Sequence, residues 1–305
     1  MMSRTARTSA LIVLPVFSFL VLYRDVIAKL VHDWWIDENY SHGFLVLPIA
    51  LYLAWERRAK FLGTARRPTV IGLVITACGL GLLLAGVLGA EVFTTEISML
   101  AALAGSILFL FGWSHLRVML FPLAFLLLMI PLPTIIFNQI TFPLQLLASQ
   151  FGESVLILAQ IPVLREGNVI HLANTSLAVA EACSGIRSLI SLLTLGIVYG
   201  YFTDPRNWVR SMIAVATAPI AIVTNGLRVA GTGVGARYFG PAAAEGFFHE
   251  FSGWLIFISA FVILFVFHRA LAWKFPVIAI RRPDHDKSVV TSSEKKAAEK
   301  WQLES

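Results

Sequence analysis

The sequence predicts an all-α polytopic membrane protein of about eight transmembrane helices. Both termini are expected in the cytoplasm, with a small β-hairpin-like segment on the outer face. Three observations carry that expectation: the composition, the spacing of the apolar blocks and the distribution of cations. Of 305 residues, 57% are hydrophobic and 14% charged, against roughly 45–50% and 25% in ordinary soluble domains. A soluble core has no room for such an excess. The apolar residues also fall into separated blocks of the length a helix needs to cross about 30 Å of hydrocarbon.

The predicted spans are 10–31, 43–55, 69–90, 97–113, 116–131, 186–203, 209–225 and 253–272. The first follows a basic start (Arg4, Arg7) and shows no small-residue cleavage site, so it reads as a retained helix and not a removed leader. Of the 24 Lys and Arg residues, 18 fall in loops on one side, among them Arg57, Arg58, Lys60, Arg117, Arg206, Arg210 and the C-terminal tail. Only Arg24, Lys29, Arg165, Arg187, Arg228 and Arg237 fall on the other. The positive-inside rule therefore places both termini inside, and the net charge of +6 reflects topology and not nucleic-acid binding. Residues 1–275 form the membrane domain; 276–305 read as a polar, disordered cytoplasmic tail.

Residues 140–161 are apolar enough for a ninth span, but a full crossing would invert the later loops and move Arg206 and Arg210 outside. An interfacial or re-entrant helix is expected instead, with Gln145, Gln150 and Glu153 on its wetter face. After it, short β-prone runs (Pro162–Leu164, Val169–Leu172, Leu177–Val179) alternate with turn signals at Glu166-Gly167-Asn168 and Ala173-Asn174-Thr175. They describe a small hairpin lying on the membrane and leading to Cys183.

Two cysteines are present. Cys78 sits mid-block and reads as a small buried hydrophobe; at such different depths a disulfide with Cys183 is not expected. Cys183, in A-C-S-G-I-R-S-L, immediately precedes the sixth span, so its sulfur stands at the positive end of a helix, where thiol pKa values fall. Ser184 and Gly185 allow close backbone approach, and Arg187 follows one turn later. Arg228, in N-G-L-R, closes the seventh span on the outer side, on one helical face with Asn225. Its plainer reading is an arginine that snorkels to headgroups. His249 precedes the eighth span on the same side; a lone interfacial histidine is more often structural.

Together they nevertheless bring a thiol, a guanidinium and an imidazole to one depth: a nucleophile, a cation for thiolate and oxyanion, and a proton shuttle. Glu181 stands ready to pair with Arg187. Tyr40 and His42, in Y-S-H-G, serve either the substrate or the loop. The remaining histidines show no metal-ligand spacing, so no metal is expected, and nothing calls for a cofactor.

At these residues the sequence resembles the exosortase/archaeosortase family. The matching stretches are Y-S-H-G (40–43), L-P-T-I-I-F-N-Q-I-T-F-P-L-Q (132–145), V-L-R-E-G-N-V-I (163–170), V-A-E-A-C-S-G-I-R-S-L (179–189), N-G-L-R (225–228) and His249 before Gly253. The resemblance implies an integral-membrane cysteine peptidase or transpeptidase of the bacterial inner membrane, its active site facing the periplasm. Cys183 would be the nucleophile, Arg228 the catalytic cation and His249 the proton donor and acceptor. The implied partners are exported proteins ending in a Pro-Glu-Pro-like motif, a transmembrane helix and a basic cluster, with surrounding lipid. Some members carry a fused C-terminal domain linked to exopolysaccharide production; here only a short polar tail follows Arg281, so such a partner is expected to be separate. The competing classes are a transporter or polysaccharide-assembly protein, whose site would lie near the midplane among broken helices, and a membrane scaffold.

Overall fold

A computed structural model describes residues 14–173, 176–179, 185–240 and 247–276, the side chains of 247–250 excepted. Residues 14–22 are helical (α1), and after a turn at Tyr23 the chain continues as α2 (Arg24–Ile36). There follow α3 (Gly43–Glu56), the short α4 (Arg58–Leu62), α5 (Val70–Leu88), α6 (Val92–Leu110), α7 (Trp113–Phe125) with a 3₁₀ turn (Leu126–Met129), and α8 (Thr134–Leu158). A three-stranded sheet comes next: β1 (Val163–Glu166), β2 (Val169–Leu172) and β3 (Ser176–Ala178). The chain ends in α9 (Ile186–Thr203), α10 (Asn207–Phe239) and α11 (Phe247–Lys274).

By length and apolarity five of these helices can cross a membrane, or six if the bent pair of α7 and α8 counts as one; α3, at 14 residues, is shorter. The polytopic helical class is thus observed, with fewer long spans among the described residues than the eight expected. The first expected span begins at residue 10, outside the described residues. At the α7–α8 junction the cause is physical: Pro131 and Pro133 cannot carry the helical hydrogen bond across it. The chain bends there by 78°.

Helices α5 and α6 approach most closely because α5 presents glycine to α6 at seven-residue spacing. A methyl group at Gly72 would stand 2.2 Å from the Phe109 nitrogen, and one at Gly79 2.8 Å from the Ala102 nitrogen. This small-residue contact replaces the hydrophobic drive that lipid surroundings remove. It also corrects the reading of Cys78: the residue beside Gly79 points away from α6 and is exposed on the protein surface, not buried.

The residues divide into two units, Met1–Phe265 and Val266–Ser305. In the first, one core joins Tyr23, Leu30, Trp34, Val46, Leu53, Met99, Phe125 and Ile186, and a second joins Ala148, Leu156, Ile170, Leu172 and Val229 beneath the sheet. Of the second unit, the described residues are the last turns of α11 and the two residues after it.

The expected hairpin is an antiparallel meander in the order β1-β2-β3, with Val163 opposite Leu172 and Ile170 opposite Leu177. Its first turn is the two residues Gly167 and Asn168. Gly167 has φ +63°, the left-handed region glycine enters without strain. Helix α8 starts at Thr134, earlier than expected, and Gln145 is not on a wet face: it is buried, and its Oε1 accepts from Asn168 Nδ2 at 3.0 Å. Gln150 is exposed, and half-buried Glu153 pairs with Arg165 at 2.8 Å. Packing of the sheet onto α8, which periodicity alone does not reveal, turned Gln145 inward.

Candidate active site

The turn Tyr40–Gly43 is a structural clamp. Tyr40 Oη accepts from the Leu132 nitrogen (3.2 Å), His42 Nε2 donates to the Leu128 carbonyl (2.8 Å), and Trp34 Nε1 donates to the Met129 carbonyl (2.9 Å). Tyr40 and His42 are both buried. Burial raises the Tyr40 phenol above its usual range and lowers the His42 imidazole below its own, although the Leu128 carbonyl works the other way. A neutral, hydrogen-bonded imidazole locked against the 3₁₀ turn holds the loop in place.

From this turn Glu38 and Asn39 reach the start of α9: Arg187 forms an ion pair with Glu38, and its Nε donates to Asn39 Oδ1 at 3.5 Å. The carboxylate beside Arg187 among the described residues is therefore Glu38, contributed by a separate segment; Glu181, the expected partner, lies outside the described residues.

The approach to α9 is fixed at two points. On the sheet side, Asn168 holds Val179 twice: its backbone carbonyl accepts from the Val179 nitrogen (2.8 Å), and its Nδ2 donates to the Val179 carbonyl (3.2 Å). On the helix side, Gly185 caps α9 with φ +79°. A methyl group there would stand 2.8 Å from Asn225 Cγ, so the Asn225 side chain lies directly on the backbone of Gly185. Both conditions demand glycine. Glu181, Cys183 and Ser184 lie between these anchors in the chain and outside the described residues.

Helix α10 connects the remaining pieces. Asn225 is buried against Gly185, and Gly226 packs on Phe151 of α8, whose ring would be 2.5 Å from an added methyl group. One turn on, Arg228 Nε donates to Ser252 Oγ of α11 at 3.3 Å, and its guanidinium covers Gly253. Position 249 is one turn ahead of Ser252 and Gly253, the spacing of one helical face; the side chain of His249 is outside the described residues. Beside Arg228 opens an apolar cleft of about 510 Å³, walled by Arg228, Gly231, Thr232, Gly235, Ser252 and Leu255.

One buried ionisable group escaped the sequence reading. Glu96 of α6 has no exposed surface, and neither carboxylate oxygen has a hydrogen-bond partner among the described residues. A single acid in an otherwise apolar block was the available signal. Among the described residues, no cluster of three His, Cys, Asp or Glu is arranged to hold a metal ion.

Apolar helices packed through glycine, with polar side chains of α9, α10 and α11 gathered where those helices begin or meet, define a polytopic helical membrane protein. Residues 34–266 match the transmembrane exosortase family, well over half of the chain, and the protein belongs to that family. No curated protein and no solved structure matches it.

Proposed function

We propose that the chain is an integral-membrane cysteine peptidase or transpeptidase that cleaves C-terminal sorting signals of exported proteins at the periplasmic face of the inner membrane. The observation that carries this reading is the position of α10: Asn225 lies on Gly185, two residues beyond Cys183, while Arg228 reaches α11 one turn from position 249. Family membership supports the same reading.

In the proposed reaction the Cys183 thiolate attacks the scissile carbonyl carbon, and Arg228 stabilises the charge that develops on its oxygen. His249 gives a proton to the departing amine as the C–N bond breaks, leaving a thioester on Cys183. Attack by water or an amine then breaks the C–S bond and restores the thiol. The cleft beside Arg228 receives the segment next to the scissile bond. The substrates are proteins with a Pro-Glu-Pro-like motif, a transmembrane helix and a basic cluster, and export of exopolysaccharide would engage a separate partner.

Cys183→Ala should abolish processing and leave full-length precursor in the membrane on an immunoblot, while Arg228→Gln should slow processing about 10²–10³-fold, the loss typical of one oxyanion donor. Undiminished processing by Cys183→Ala would sink the proposal.

A further inference from the structure

A second polar cavity, of about 530 Å³, lies between the end of α3, the helix α4 and the first turns of α7, lined by Arg57, Lys60, Thr64, Ser114, Arg117 and Val118. Three cations from three elements line it, and no carboxylate does. Four basic side chains elsewhere do meet carboxylates: Lys29 pairs with Asp33, Arg165 with Glu153, Arg187 with Glu38 and Arg206 with Asp204. Among the described residues, Arg57, Lys60 and Arg117 form no ion pair with a carboxylate. Like charges gathered in one cavity repel unless an anion joins them.

The cavity is also pre-organised. Arg57 is held by its Nη1 donating to the Val118 carbonyl (2.9 Å) and its Nη2 to Tyr201 Oη (3.3 Å), with its guanidinium 5.3 Å from the Phe121 ring centre. Ser114 is the second residue of the 13-residue α7, so the positive end of that helix adds to the field. Trp113, whose ring centre is 5.8 Å from the Arg117 guanidinium, and Trp55, two residues before Arg57, are both more than half exposed, and Leu62 of α4 is 77% exposed. Exposed tryptophan beside apolar helix surface marks a membrane–water interface.

We propose that this cavity binds the phosphate headgroup of an anionic phospholipid, with Arg57 and Arg117 on the phosphate oxygens and Lys60 at the rim. Basic pockets between membrane helices hold such headgroups, and the exposed tryptophans next to these cations favour a lipid over a soluble phosphate. The proposal does not depend on the peptidase reading.

The test uses the full chain in nanodiscs of phosphatidylcholine with increasing phosphatidylglycerol, and counts retained phosphatidylglycerol by native mass spectrometry. Lys60→Gln/Arg117→Gln removes two exposed cations and leaves the Arg57 clamp intact. It should weaken phosphatidylglycerol binding about thirtyfold, roughly fivefold per cation. Arg58→Gln/Arg66→Gln, exposed neighbours outside the cavity, should change it little. Equal loss in both double variants, or none in the first, overturns the site. Occupancy by inorganic phosphate that blocks phosphatidylglycerol equally well overturns the lipid assignment.

Discussion

His42 shows how a single residue's role depends on what it touches. In sequence it was a polar residue at a helix start, equally suited to a substrate or to a loop. In the structure its Nε2 is spent on the Leu128 carbonyl, and burial lowers the pKa of the ring. The sign of the consequence follows directly. The unfolded chain protonates this imidazole near the ordinary 6.5, whereas the folded chain resists until lower pH. Stability therefore rises with pH through that window and is lost as pH falls below about 6.5. His42→Gln keeps a donor for Leu128 without a titrating ring. It should flatten the decline in unfolding temperature between about pH 7.5 and about pH 5, measured by fluorescence-detected melting in detergent; an unchanged slope would assign the decline to other groups. Gly185 is the opposite case. Its importance was legible from the S-G pair, but the reason, a positive φ under the Asn225 side chain, was not, because that neighbour comes from 40 residues further along the chain.

At the scale of elements, apolar periodicity located α5, α6 and α9 to within a few residues, since a helix in lipid must satisfy its own backbone and so extends as far as its apolar run. It failed where packing and not hydropathy sets length. The expected span 209–225 is only the first half of a 33-residue α10, about 50 Å long. Glycines and polar residues dilute its second half, yet contacts with α8 hold that half helical: Gly226 on Phe151 and Gly233 on Leu156. The α5–α6 contact makes a testable case. Gly79→Leu drives a side chain into the α6 backbone and should lower stability by about 2 kcal/mol or more, the scale of overpacking. Gly81→Leu, where an added methyl group meets nothing within 4 Å, should be near neutral. Equal melting temperatures for the two variants would refute the close-packed interface.

At the scale of the whole molecule, two sets of loops gather separately. Arg57 meets Val118 and Tyr201, and Arg210 meets the carbonyls of Tyr201 and Asp204. Elsewhere the 34–42 segment meets 128–132 and Arg187. The proposed orientation puts the first set in the cytoplasm and the second in the periplasm. With both native cysteines replaced by alanine, single reporters at Ser41→Cys and Glu166→Cys should react with a membrane-impermeant thiol reagent in intact cells, and Ala65→Cys and Pro205→Cys only after permeabilisation. Labelling of Glu166→Cys and Pro205→Cys from the same side would overturn that orientation.

What the sequence determined by itself was the polytopic helical class, the approximate course of several helices and a small β-prone hairpin ahead of α9. These follow from local rules: apolar run length and turn residues. Only the tertiary structure decided which residues meet. It buried Gln145 and Glu96, exposed Cys78, paired Arg187 with Glu38, made Tyr40 and His42 a clamp, and set Asn225 and Arg228 between α9 and α11. The physical reason is common to all of them. Hydropathy records how much a residue avoids water, but in a bundle of helices surrounded by lipid the inner and outer faces are both apolar. Which face turns inward is settled by close contacts between segments distant in sequence.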